Sequence, residues 1–331
     1  MSGSGINGVR ESLRAQQQLL NIEAGNLTRS QVPGAQAVRG TLQANDVNHL
    51  GNGRSIPGTG TSLTATTVDF SQGSLQRTGF TTDLAINGKG FFTLFDAKGE
   101  FYYSRRGDFH FDTSGTLVNS QGLFVGSFDP KTGEIEKTTI KVNPVTDSLG
   151  EQVLNELEDK GALRASDLAS LLSQPNATIT SSLAGLKVAG YVTEYQDAGE
   201  TYFKSNLGEL GDQVLFDRSG FMINETRGLK QGNQIALAVF SNEQGLVPGR
   251  FGGEIYKSTD AAVAGGLPAF GAPGDVKLGL GSIESQALEQ STSSATPSTV
   301  NMGFLQRNFT STTKALKAFM SAWDDLINTI R

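Results

Sequence analysis

Apolar positions recur by threes and fours at both ends of the chain and by twos between them. Near the N-terminus the stripe runs Ile6, Val9, Leu13, Gln16, Leu20, Glu23, Leu27. Near the C-terminus it runs Met302, Gln306, Phe309, Thr313, Leu316, Met320, Trp323, Ile327, Ile330. This is the a/d rhythm of a narrow seam, which a lone surface helix leaves uncovered. A helix is predicted over residues 5–28, ended by Val32-Pro33-Gly34, because proline disfavours helical backbone in the residue before it. Both seams carry polar members. The two termini are therefore expected to pair as coiled-coil helices and to pack on copies from other chains.

Between the helical ends the pattern is that of strands and turns. Leu84, Ile86 and the Phe91-Phe92 pair flank Asn87-Gly88, a hairpin-turn signal. Strands Thr93–Phe95 and Glu100–Ser104 surround the turn Asp96-Ala97-Lys98-Gly99. Residues 151–173 read as a short helical pair with apolar Val153, Leu154, Leu157 and Leu168, Leu171, Leu172. Pro175-Asn176 ends that pair, and strands are expected from Ile179 onward, including Lys187–Tyr195 and Ile235–Phe240. The polar stretch Gln43–Thr64 reads as an extended, mobile connector or loop.

The predicted class is α+β, with paired N- and C-terminal coiled-coil helices and mainly-β central domains nested between them. Residues 1–40 with 292–331 would form the terminal helical domain, and 41–135 with 235–291 an inner β-domain. Residues 136–234 would be an inserted outer domain.

Composition narrows the function. The 331 residues include 41 glycines, which suits many tight turns, and no Gly-X-Y period points to collagen. Net charge is −6 with no long basic run, so nucleic-acid binding has no electrostatic footprint. With no cysteine there are neither disulfides nor thiolate metal sites, and the two histidines, His49 and His110, lie in different segments. No cofactor or metal is expected. No apolar run reaches the length of a membrane span, and the first residues lack the basic and apolar regions of a cleavable signal. Carboxylate neighbours such as Glu158-Asp159 and Asp324-Asp325 are adjacent on helices and would not face one substrate. Gly88-Lys89-Gly90 lacks the strand–turn–helix setting of a phosphate loop.

Several ordered blocks then resemble one family. Asp83-Leu84-Ala85-Ile86-Asn87-Gly88-Lys89-Gly90-Phe91-Phe92 resembles the signature block of bacterial flagellar hook and basal-body rod proteins. Ser104-Arg105-Arg106-Gly107-Asp108-Phe109 is similar to the block that follows it. Asn26 and the Pro33-Gly34 pair sit where that family has Asn-Leu-Ala-Asn and Thr-Pro-Gly-Tyr. Gln306 and Arg307 match its terminal-helix block, whereas Thr292–Pro297 departs from its Asn-Val-Asp-Leu.

The resemblance implies a non-enzymatic structural subunit of the flagellar hook or rod. Such a subunit would leave the cell through the type III apparatus and polymerise into a helical tube that transmits torque. Its partners would be copies of itself, neighbouring axial proteins, the assembly cap and the export apparatus, with no small-molecule substrate. The seam residues Ile6, Val9, Leu13, Leu20, Leu27, Met302, Phe309, Leu316, Met320, Trp323, Ile327 and Ile330 would then be the subunit interface. The rivals are a distal or proximal rod protein, a secreted β-rich adhesin, and a rod-associated peptidoglycan hydrolase.

Overall fold

The structure is a computed structural model that describes residues 4–44, 48–50, 54–56, 60–112, 115–138, 148–188, 191–206, 214–224, 230–231, 234–265 and 267–330. In chain order the elements begin with α1 (Ser4–Arg29), β1 (Ala37–Ala44), β2 (Asn48–Leu50), β3 (Arg54–Ile56), β4 (Thr61–Asp69) and β5 (Leu75–Arg77). There follow β6 (Leu84–Asn87), β7 (Phe91–Phe95), β8 (Phe101–Ser104), β9 (Phe109–Phe111), β10 (Leu117–Asn119), β11 (Phe124–Phe128) and β12 (Ile135–Lys137). A helical stretch holds α2 (Ser148–Lys160), α3 (Ala165–Leu171) and α4 (Asn176–Val188). After it come β13 (Val192–Asp197), β14 (Glu200–Ser205), β15 (Val214–Phe216), β16 (Met222–Asn224), β17 (Lys230–Gln231), β18 (Gln234–Ile235) and β19 (Leu237–Val239). The chain closes with β20 (Val247–Gly249), β21 (Gly252–Lys257), β22 (Ala269–Gly271), β23 (Ser282–Ser285), β24 (Ala287–Glu289) and α5 (Ala295–Ile330). Helix and strand both contribute substantially, so the class is α+β.

Two compact units emerge: Met1–Ser74 with Gln290–Arg331, and Leu75–Glu289. In the first, the terminal unit, β1 and β4 form an antiparallel ribbon from Ala37↔Asp69 to Ala44↔Thr61. Gln43–Thr64 is therefore not a plain connector: its first and last residues belong to paired strands. The threonine-rich run Thr61–Thr67 favours a pleated, half-exposed surface, which the polar composition concealed. Gly51, Gly53, Pro57 and Gly58 lie outside the described residues.

The ribbon packs on α1 through Gly8, Ser12, Ala15, Leu19, Ile22 and Asn26. A Cβ on Gly60 would lie 2.4 Å from the Gly8 carbonyl oxygen, and one on Gly40 would meet Leu19 and Ile22. Thr61 N–H donates to Ser12 Oγ at 2.8 Å, and Ala15 is buried. This stripe also steps by threes and fours, but on a face different from the seam read in the sequence. Small residues let the two backbones approach there, and an apolar pattern search passes over them.

The α5 helix starts beside the C-terminal end of α1. Ser293 Oγ donates to the Asn26 carbonyl at 2.6 Å, and Thr292 N–H donates to Ala35 O at 3.1 Å. Further on, Asn301 Nδ2 donates to Glu23 Oε1 at 3.0 Å, so the helices run antiparallel over this stretch. Pro297 falls in the first turn of α5, where a missing N–H is tolerated.

The central unit is built on an antiparallel sheet with the path β20-β21-β8-β7-β11-β10-β9. The β7–β8 hairpin closes on Asp96, whose Oδ1 accepts the N–H groups of Lys98 and Glu100. Asn87-Gly88 behaves differently. Among the described residues β6 pairs with β23 and β7 with β8, β11 and β19, so Asn87-Gly88 is a corner between two sheets and not a hairpin turn. The run Ile235–Phe240 also divides: β18 pairs with β11, whereas β19 pairs with β7 and β22.

The helical stretch has a third member. Asn176–Val188 is α4, with Ile179, Leu183 and Leu186 buried at helical spacing. The expected strands from Ile179 and over Lys187–Tyr195 thus give way to a helix followed by β13, which starts at Val192. Val153, Leu154 and Leu157 of α2 and Leu168 of α3 join these residues in the core.

Candidate subunit interface

The family-like motif residues of the central unit converge on the Asn87-Gly88 corner. Gly88 and Gly90 have φ of 118° and 123°, backbone that side chains resist, and this turns the chain from β6 into β7. Their carbonyls then point at one cation. Arg105, 4% exposed, donates from Nη1 to both Gly88 O and Gly90 O at 2.9 Å, and from Nη2 to Gly88 O at 2.9 Å. Its Nε lies 3.5 Å from Glu289 Oε2, a carboxylate with no exposed surface. Burial pulls the guanidinium pKa down, while the charges of Glu289 and Glu243 push it up.

Around this cation Phe91 packs edge-on against Phe240 at 5.5 Å, and Phe92 against Phe109 at 5.0 Å. Ser104 Oγ donates to Glu254 O and accepts from Arg106 N–H. Leu84 N–H donates to Gly107 O at 2.9 Å, and a Cβ on Gly107 would stand 1.8 Å from Leu84 O. Asp83 bridges to Asp108 across the same edge; its burial pushes the Asp83 carboxyl up, opposed by a Thr78 hydrogen bond and reinforced by Asp108. Asp83, Gly88, Gly90, Phe91, Phe92, Ser104, Arg105, Gly107 and Phe109 thus form one structural joint. The pairing of Arg105 with Glu289 is not legible in the sequence, since the two are 184 residues apart and only the fold joins them.

In the terminal unit Asn26 is the joint. It is buried, its Nδ2 donates to Val38 O at 2.8 Å, and its Oδ1 accepts Val38 N–H at 2.9 Å. Pro33 and Gly34 sit in the Val32–Ala35 turn, with Gly34 at φ 66° and Ala35 N–H donating to Val32 O.

The seam residues divide along the helices. Val9, Leu13, Leu20 and Leu27 on α1 are half-buried, as are Met302, Phe309 and Leu316 on α5. Met320, Trp323 and Ile327 are 53%, 40% and 45% exposed. Gln306 and Arg307 are exposed. The side chains of Ile6 and Ile330 lie outside the described set. At the opposite end of α5, a cavity of about 540 Å³ opens between α1, β1 and the first turns of α5. Leu19, Val38, Pro297, Phe304 and Leu305 supply its apolar lining, and Phe304 is 60% exposed. The sequence reading did not include Phe304, which is off the heptad positions.

Comparison with known proteins agrees with the motif reading. Residues 85–151 match the family described as "Flagellar hook protein FlgE/F/G D1 domain". Flagellar hook protein FlgE of Escherichia coli (strain K12) is 32% identical over 149 residues, covering 44% of this chain and 36% of that protein. FlgE of Helicobacter pylori (strain ATCC 700392 / 26695) is 36% identical over 135 residues, 37% of this chain and 18% of that protein. Flagellar basal-body rod protein FlgG of Borreliella burgdorferi is 32% identical over 128 residues, 34% of this chain and 47% of that protein. The matches span less than half the length of each of these relatives.

Proposed function

From a chain whose residues 85–151 match the D1 domain of the flagellar hook and rod axial family, we propose a structural, non-enzymatic subunit of the bacterial flagellar hook–rod axis. The observation that carries this reading is the corner at Gly88 and Gly90. The family-like motif residues of the central unit are gathered in one buried joint, held by Arg105 and Glu289.

In this reading α1 and α5 act as a coiled-coil pair and the subunits polymerise into a helical tube. The terminal unit, residues 1–74 with 290–331, carries both seams. The half-buried seams of α1 and α5 become buried between copies, because a thin helical layer cannot cover them alone. Helices that need packing to be stable can travel unfolded through an export channel and order on docking. Its place in this reading is the hook–basal body, periplasmic to extracellular. It would meet the cap, the export apparatus and neighbouring axial proteins. A rod subunit is the second reading, favoured by the similarity to FlgG.

Deleting residues 1–30 tests the assignment. An axial subunit loses assembly and motility; a chain that still acts at the cell surface without α1, as an adhesin would, contradicts it.

A further inference from the structure

We draw no further inference here: the strongest candidate, the surface of the β13–β14 ribbon where exposed Tyr195 stacks on Tyr202, carries nothing, because the ribbon carboxylates Glu194 and Glu200 are already paired with Lys187 and Arg164 and nothing in the structure shows what covers it.

Discussion

Replacing Arg105 by methionine isolates the buried joint of the central unit. The substitution keeps an unbranched apolar stem, but removes three hydrogen bonds to the carbonyls of Gly88 and Gly90 and the cation 3.5 Å from Glu289. Both partners are almost wholly buried, so Glu289 keeps its desolvation cost and loses the charge that offset it. Breaking a buried pair from one side costs about 3–5 kcal/mol, while replacing both partners by apolar groups is often nearly neutral. Arg105→Met is therefore expected to destabilise the unit by about 3–5 kcal/mol. Arg105→Met/Glu289→Met should recover a coupling of about 1–3 kcal/mol.

The chain supplies its own probes for this. All six tyrosines lie between 102 and 256, in the central unit, and the single tryptophan lies on α5. Urea unfolding followed by tyrosine absorbance should move to lower denaturant in Arg105→Met, while the Trp323 transition stays in place. A tyrosine shift worth less than about 1 kcal/mol would refute the joint. So would a double variant that loses the full sum of the two single losses.

Other perturbations reach other parts of the molecule. Burial, together with the charges of Asp112 and Asp159, raises the Glu158 carboxyl from 4.5 to about 7. The folded state thus binds more protons than the unfolded chain between these values, and stability falls as pH rises through that window. Glu158→Gln should stabilise the central unit at pH 8 by on the order of 1 kcal/mol after solvent screening, and lose that advantage below pH 4.5; parallel melts across the range check it. Gly107→Ala must displace Leu84 O from 1.8 Å, so a loss of about 3 kcal/mol and perturbed amide shifts at Leu84 are expected by NMR. Asn26→Ala leaves both polar groups of Val38 without their side-chain partner, about 2 kcal/mol, and should raise hydrogen exchange at the Val38 amide while the tyrosine transition is unmoved.

Local signals were legible where one interaction decides the structure. Asp96-Ala97-Lys98-Gly99 is a turn because Asp96 caps it, whatever surrounds it. Asn87-Gly88 misled because left-handed backbone serves a sheet corner as well as a hairpin, and only the pairing of β6 with the distant β23 separates the two. The α4 helix was hidden by Thr178, Ile179 and Thr180, whose β-branched side chains suggest strand, although Ile179, Leu183 and Leu186 already have helical spacing. On α1 the apolar stripe marked one face, while the face that carries the ribbon uses Gly8, Ser12 and Ala15, residues too small to register as hydrophobic. Of the joint at Arg105, the glycines and the arginine were visible as a motif, but the carboxylate that completes it comes from β24.

The axial assignment is tested most directly by locating the chain in the assembled organelle. Hook–basal bodies isolated from the native cell would be decorated with antibody raised against the helical stretch Ser148–Val188 and viewed by electron microscopy. The account predicts label on the axial structure, along the curved extracellular segment for a hook subunit or on the straight shaft for a rod subunit. Hook–basal bodies that carry no label, while the chain is present in the same cells, would contradict it.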